Sequence, residues 1–300
     1  SLSVVSASVH SGMEARCVSP AGVGVGWSSV ELVSHSSTLR SGGSFFVHST
    51  LWVSSVHPML GPVSGGTRLS VLGAGFRGWA RLVCRCEESG KTVVGRHIDP
   101  GRLECASSAS SGVGPRRLVV SLFVQEFSSS GVEYTYVACA AVSSVWPVSS
   151  VSEGGTPVTV SGSGFSALSA SLGYLRCRFN TTTWMAEYVS ETSVVCNSSS
   201  SMSPGYVTVE VTTNGADFTS DGVELEVVDV LVSGVSPWSG PETGGTVVTV
   251  SGSGLEASDS LWCRFGSSSV VSASVHSGME ARCVSPSGVG VGWSSVELVS

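Results

Sequence analysis

Three hundred residues, 41% hydrophobic and only 12% charged, suffice for several small domains with their own cores and are too apolar for a disordered chain. Ser, Gly and Val dominate, which suits short strands and tight turns and lacks the Ala, Leu, Glu and Lys supply of a helical protein. A net charge of -7 and a single lysine, Lys91, leave no basic stripe for a phosphate backbone, which argues against nucleic acid as a partner, and no run reaches the roughly 18 apolar residues of a membrane helix.

Residues 1–34 return as residues 267–300 with 32 of 34 positions identical, the exceptions being Leu2/Ser268 and Ala21/Ser287. A return after 266 residues that starts and stops inside a folding unit reads as a window on a longer repetitive polymer. A finer period lies within it. Val53-Ser-Ser-Val-His-Pro58, Val142-Ser-Ser-Val-Trp-Pro147 and Val232-Ser-Gly-Val-Ser-Pro237 are spaced by 89 and 90 residues, and the superperiod leaves 87 for the third step. Each is followed by Gly-Gly-Thr, at Thr67, Thr156 and Thr246, and by an alternating run closed with glycines: 68–76 (RLSVLGAGF), 157–165 (PVTVSGSGF) and 247–255 (VVTVSGSGL).

The predicted organisation is two full domains, 52–141 and 142–231, flanked by the C-terminal part of a unit at 1–51 and the N-terminal part of the same unit type at 232–300. At about 90 residues each domain has the length of a two-sheet sandwich. Residues 156–160 alternate polar and apolar, as a strand with one inward face does. In residues 206–212 Val207, Val209 and Val211 share a face; Asn214-Gly215 then turns the chain, and residues 222–227 return as a hairpin partner.

The nine cysteines divide by context. Cys84, Cys177 and Cys263 sit in LVCRC, LRCRF and LWCRF, and Cys105, Cys196 and Cys283 follow 21, 19 and 20 residues later. One disulfide per domain is the natural reading; each would stabilise its domain by about 3 kcal/mol and implies an oxidising compartment. Cys17 matches Cys283, so its partner would lie before residue 1. Cys86 and Cys139 form a second bridge in the first full domain or remain thiols, a choice the sequence leaves open. Zinc is discounted, because Cys84-x-Cys86 lacks a second closely spaced ligand pair.

A proline-bearing opening strand, Gly-Gly-Thr, Ser-Gly-Ser-Gly-Phe, Cys-Arg-Phe, a second cysteine and Asn214-Gly-Ala-Asp-Phe218-Thr219 together resemble the IPT/TIG domain. The resemblance covers nearly the whole chain and is strongest over 142–231. It implies an all-β fold: tandem immunoglobulin-like sandwiches in a linear array, as in plexin-type receptors, some transcription factors and long cell-surface arrays. In the first full domain the asparagine-glycine turn is shortened to Gln125-Glu126-Phe127, and Cys86 stands where Phe follows Cys-Arg. The basic loops of the family's DNA-binding members have no counterpart. A long, nearly self-identical, lysine-poor and serine-rich array also resembles extracellular repeat fibres and the mastigoneme-type flagellar hairs of algae and protists.

Near Val230 and over 134–143 there is essentially no linker, so neighbouring domains must touch and the array should behave as a semi-rigid rod. The expected function is a structural, non-catalytic segment of an extracellular repetitive glycoprotein that self-associates in a filament, where one weak contact per repeat sums to strong association. The other reading is the ectodomain of a cell-surface receptor or adhesin that binds a protein ligand. Asn180-Thr-Thr and Asn197-Ser-Ser are glycosylation sequons, so covalent N-glycans are expected at both and no cofactor is. The clusters 128–130, 198–201 and 267–269 read as solvated turns rather than O-glycan tracts, their flanks being strands.

No catalytic or metal site emerges. The six histidines show no ligand spacing, and Ser161-Gly-Ser-Gly164 ends a strand and opens no helix, unlike a nucleophile elbow. Asp217, Asp221 and Glu224 read as a solvated turn before they read as a calcium site. Trp27, Trp52, Trp146, Trp184 and Trp238 are expected in cores or domain junctions, with Trp146 and Trp238 as junction contacts.

Overall fold

The computed structural model describes residues 4–34, 37–87, 90–124, 126–198, 202–255, 261–267 and 269–299. In the second full domain the alternation of Pro157–Ser163 places Val158 and Val160 inside, both fully buried, and turns Thr159 and Ser161 outward. That strand lies between Ala141–Trp146 and Ser193–Asn197, and Glu187–Ser190 completes a four-stranded sheet. The facing sheet has five strands in the order Ser149–Val151, Glu224–Val228, Gly205–Thr212, Arg176–Phe179 and Thr182–Met185. Only Ser149–Val151 runs parallel to its neighbour in this sheet. The first full domain repeats the plan, with Trp52–His57, Arg68–Ala74, Arg102–Ala106 and Arg96–Asp99 facing the sheet built on Val132–Val137, Gly114–Ser121 and Val83–Cys86. The opening segment serves both sheets: it pairs with one before a cis peptide bond, His57-Pro58 or Trp146-Pro147, and with the other after it.

The Gly-x-Gly-Phe endings follow from packing. A Cβ on Gly162 would meet the ring of Phe165 at 2.8 Å, and one on Gly73 would meet Phe76 at the same distance. The carbonyls of Ala141 and Trp52 on the opposing strands would come closer still, so the glycine admits both that backbone and the buried ring that plugs the sandwich. Beyond Phe165 the chain forms one helical turn, Ala167–Ser171, with the Ser166 side chain accepting from the Ser169 N–H. The expectation that no helix follows Ser161-Gly-Ser-Gly164 is thereby corrected; Ser161 itself pairs across the sheet with Ser144 and Ser193.

The third unit contains Leu231–Ser236, Val247–Ser253, Glu280–Val284 and Ser274–Ser277 in one sheet and Ser269–Ser272, Trp262–Phe265 and Val296–Val299 in the other. Near the start of the chain Ala7–Ser11 pairs with Glu14–Cys17, and Gly26–Ser34 with Ser37–Val47. Disulfides join the two sheets in each of the three units: Cys84–Cys105, Cys177–Cys196 and Cys263–Cys283, with Cα atoms 6.4, 6.3 and 6.3 Å apart. Cys86 and Cys139 are not disulfide-bonded: Cys86 is buried in the core and Cys139 is exposed between domains. Burial pushes the Cys86 thiol up, and the neighbouring Tyr136 hydroxyl partly offsets this. Cys17 is exposed.

The tryptophans stay out of the cores, although Trp27 packs on Phe46 at 5.2 Å and Phe46 on Trp79 at 4.6 Å where the first full domain begins. All eight are exposed, from 44% at Trp262 to 91% at Trp293. Trp52 and Trp262 take outward positions because their neighbours Val53 and Cys263 fill the inward ones, and Val, Leu, Phe and Tyr supply the cores instead. Ser128 and Ser198 are buried rather than solvated. Ser128 Oγ accepts from Val120 N–H at 3.2 Å and donates to the Ser130 carbonyl at 2.7 Å; Ser198 Oγ meets Ser150 Oγ at 2.9 Å and Thr156 N–H at 3.0 Å.

Candidate functional site

The site is the junction between the two full domains, and the Gly-Gly-Thr segment builds its first wall. Gly65 has φ 74, and a Cβ there would lie 2.6 Å from the backbone of Ser108 and Ala109, so only glycine lets the two loops close. Gly66 N–H donates to the Ser107 carbonyl at 2.8 Å, and Thr67 N–H to Ser107 Oγ at 3.1 Å. Thr67 is thereby fixed at the foot of strand Arg68–Ala74, fully buried, with its hydroxyl donating across the junction to Asp217 Oδ2 at 2.5 Å.

The opposing wall is the turn after strand Gly205–Thr212. Asn214 Oδ1 accepts from the N–H groups of Ala216 and Asp217 at 3.0 and 2.8 Å, while Thr212 Oγ1 accepts from those of Asn214 and Gly215 at 3.3 and 3.0 Å. Asn214 Nδ2 donates to Asp217 Oδ2 at 2.8 Å and to Thr67 Oγ1 at 3.4 Å. The turn is a self-braced knob with Asn214 2% exposed, not a solvated hairpin tip. Continuous strand pairing begins at Thr208 with Glu224; ahead of it the return is made by the Thr212–Phe218 bridge and by Thr219 N–H to the Val211 carbonyl, so the connection is longer than a two-residue turn. Asp221 accepts from Val142 N–H at 2.7 Å, which gives both aspartates hydrogen-bonding work within and between domains. No group of three or more His, Cys, Asp or Glu side chains suited to a metal occurs among the described residues.

Beside the knob the His57 and Tyr174 rings lie 5.8 Å apart, and Tyr174 Oη is 3.3 Å from His57 Nδ1. His57 thus makes the contact at this junction, and the two tryptophans expected as junction contacts, Trp146 and Trp238, do not. Trp146 is 63% exposed, and Trp238, 75% exposed, stacks on Trp293 within the third unit at 6.1 Å. A cleft of about 560 Å³ opens next to this contact, with Arg68, Arg102 and Glu104 on one wall and Arg176 and Tyr174 on the other. A hydrogen bond from Arg96, reinforced by the Arg68 and Arg102 charges, holds the Glu104 carboxyl below the usual carboxylate range.

The loop equivalent to the knob in the first full domain is identified by the bridges Ser121–Phe127 and Thr212–Phe218, which occupy the same place in their sheets. There Phe123 lies 6.0 Å from Trp79, and Trp79 lies 4.6 Å from Phe46 on strand Ser37–Val47, ahead of this domain. The junction at the start of the first full domain is therefore aromatic, and the one after it polar. No local sequence signal announced the Thr67–Asp217 contact, because its partners are 150 residues apart.

Asn180 is exposed at φ 51 in the turn between Arg176–Phe179 and Thr182–Met185, and its Oδ1 accepts from Thr208 N–H at 3.0 Å. Asn197 is exposed at the end of Ser193–Asn197; Ser199, which completes its sequon, lies outside the described residues, as do Ser200, Ser201 and Ser268.

Two facing sheets, an inter-sheet disulfide in each unit and short joins between units define tandem extracellular β-sandwich modules of the immunoglobulin-like class. The IPT/TIG domain family matches residues 51–136, 140–227 and 231–299, and the chain belongs to that family. Human plexin-A3 is 29% identical over 143 residues, which cover 47% of this chain and 8% of that protein. Mouse fibrocystin-L is 27% identical over 217 residues, covering 67% of this chain and 5% of that protein. The chain thus spans under a tenth of the length of either relative. Among solved structures, the full extracellular region of plexin A4 aligns with a TM-score of 0.45 and 18% identity over 80% of this chain and 21% of that one.

Proposed function

We propose that the chain is a non-catalytic section of the ectodomain of a cell-surface receptor or adhesin, whose IPT/TIG domains hold a protein-binding surface in a set orientation. The observation that carries this reading is the buried Thr67–Asn214–Asp217 contact, which docks one domain on the next instead of leaving them strung on a free linker. The short segments 138–140 and 229–230 between domain strands support it, as does the similarity to plexins and fibrocystin-L. Self-association into a structural filament is the second reading, favoured by the return of 34 residues after 266 positions. On either reading N-glycans at the exposed Asn180 and Asn197 are part of the proposal.

Immuno-electron microscopy of intact cells with an antibody to residues 142–231 separates the two. Label along the plasma membrane, released only by detergent, is the result expected of a receptor or adhesin. Label on filaments with a regular axial repeat overturns that reading in favour of the fibre. Intact mass before and after enzymatic deglycosylation checks the glycans, which the proposal loses if no mass is removed.

A further inference from the structure

On the outward face of the four-stranded sheet of the first full domain, Arg68, Ser70, Arg102 and Glu104 project on the side opposite buried Leu69, Val71 and Leu103. The docked second domain brings Arg176 and Tyr174 over this face and closes the cleft of about 560 Å³, within the roughly 300–1,000 Å³ range of small-ligand sites. Three of the chain's fourteen arginines therefore meet in one concavity of a molecule whose net charge is -7. Two acids line the same cleft: Glu104, paired with Arg96 at 2.7 Å and with Arg102 at 3.7 Å, and Asp217, hydrogen-bonded by the neutral Thr67 and Asn214 side chains and still charged. Three guanidinium groups therefore stand against two carboxylates, and the surplus lies with Arg68 and Arg176. Arg68 and Arg176 form no ion pair among the described residues.

We propose that this cleft binds the anionic group of an acidic glycan, a sulfate or a uronate carboxylate. A guanidinium presents its donors in a planar fork that matches two oxygens of such a group, and Arg68 and Arg176 approach it from different domains. The His57 and Tyr174 rings supply a partly apolar surface with a hydroxyl tip, which suits a sugar ring beside the anion. An extended acidic peptide fits less well. Strand Arg68–Ala74 is paired on both sides, with Trp52–His57 and Arg102–Ala106, so it offers no free edge for strand addition. Because both walls contribute, an occupant also braces the junction, in a receptor and in a fibre alike.

Titration calorimetry of the 300-residue chain tests the proposal with four probes of similar length: a sulfated glycosaminoglycan oligosaccharide, an oligogalacturonate, a neutral oligosaccharide and oligoglutamate. At least one anionic glycan should bind and the neutral one should not. Sulfated-only binding assigns the site to sulfate, and binding of both to the shared anion chemistry. Arg68→Ser with Arg176→Ser should weaken binding at least tenfold with an unchanged unfolding midpoint, whereas Arg16→Ser with Arg282→Ser should leave affinity unchanged. Absence of binding by either anionic glycan, equal loss in the control pair, or oligoglutamate binding as tightly as the glycans overturns it.

Discussion

Glu104 shows how one residue links sequence, sheet and pH response. It faces outward from strand Arg102–Ala106, opposite Ser70, and Arg96 on the neighbouring strand reaches its carboxylate. Because its folded-state pKa is depressed, the stability it contributes is present above the ordinary carboxylate range and is lost as pH falls through the lowered folded value. The urea midpoint of the wild-type chain should therefore drop on acidification from pH 7 towards 3, and Glu104→Gln should flatten part of that slope. An unaltered slope in the variant would place the acid sensitivity elsewhere. This pairing was not legible in the sequence, since it requires knowing that strands Arg96–Asp99 and Arg102–Ala106 are neighbours. The inward residues were: alternation alone singled out Val158 and Val160. Tryptophan misled because its size and apolarity suggest a core, while the register of each strand had already assigned the inward positions to smaller neighbours.

Among the elements, strand Arg176–Phe179 combines a disulfide, an ion pair and a cation–ring contact. Cys177 ties it to the opposite sheet, Arg178 donates to Glu210 on the adjacent strand at 2.6 Å, and the same guanidinium lies 4.0 Å over the Phe218 ring. The first full domain repeats the last of these, with Arg85 lying 3.6 Å over Phe127. The Cys-Arg pair was visible in the sequence as a recurring motif, and so were its half-cystines, because spacing and context recur three times. The Arg–Phe contact was not, since Phe127 and Phe218 lie beyond loops of different sequence. That contact explains why a phenylalanine persists where the asparagine-glycine turn is lost: it anchors the loop's return to the strand carrying the arginine. Replacing Cys177 and Cys196 together by alanine should lower the stability of the second full domain by about 3 kcal/mol. Denaturant unfolding followed by domain-specific hydrogen exchange would show it, with the first full domain unaffected. A uniform loss across both domains would instead mean that they unfold as one unit.

At the scale of the whole molecule, the joins decide whether the array transmits orientation from one end to the other. The buried part of the polar join centres on the Thr67 hydroxyl, which donates to Asp217 and accepts from Asn214, with the Tyr174–His57 hydrogen bond beside it, so Thr67→Val keeps the shape and removes the buried chemistry. Within its own domain Thr67 is held through its backbone, by Ser107 Oγ and by its carbonyl, and those contacts survive the substitution, but its hydroxyl also neighbours the buried Tyr134 hydroxyl, which the valine leaves without that polar partner. The valine should therefore lower the unfolding midpoint of the first full domain only modestly, through the lost Tyr134 contact. It should also weaken domain docking by about 1–3 kcal/mol, because a charged acceptor at the interface loses its donor. Small-angle scattering of the chain should then show a broader distribution of interatomic distances and a higher radius of gyration than in the wild type. The aromatic join through Phe46, Trp79 and Phe123 has no such hydroxyl and keeps its contacts in this variant. A Thr67→Val chain whose scattering superimposes on the wild type would mean that the His57–Tyr174 contact and the short segment 138–140 suffice to set the angle between domains.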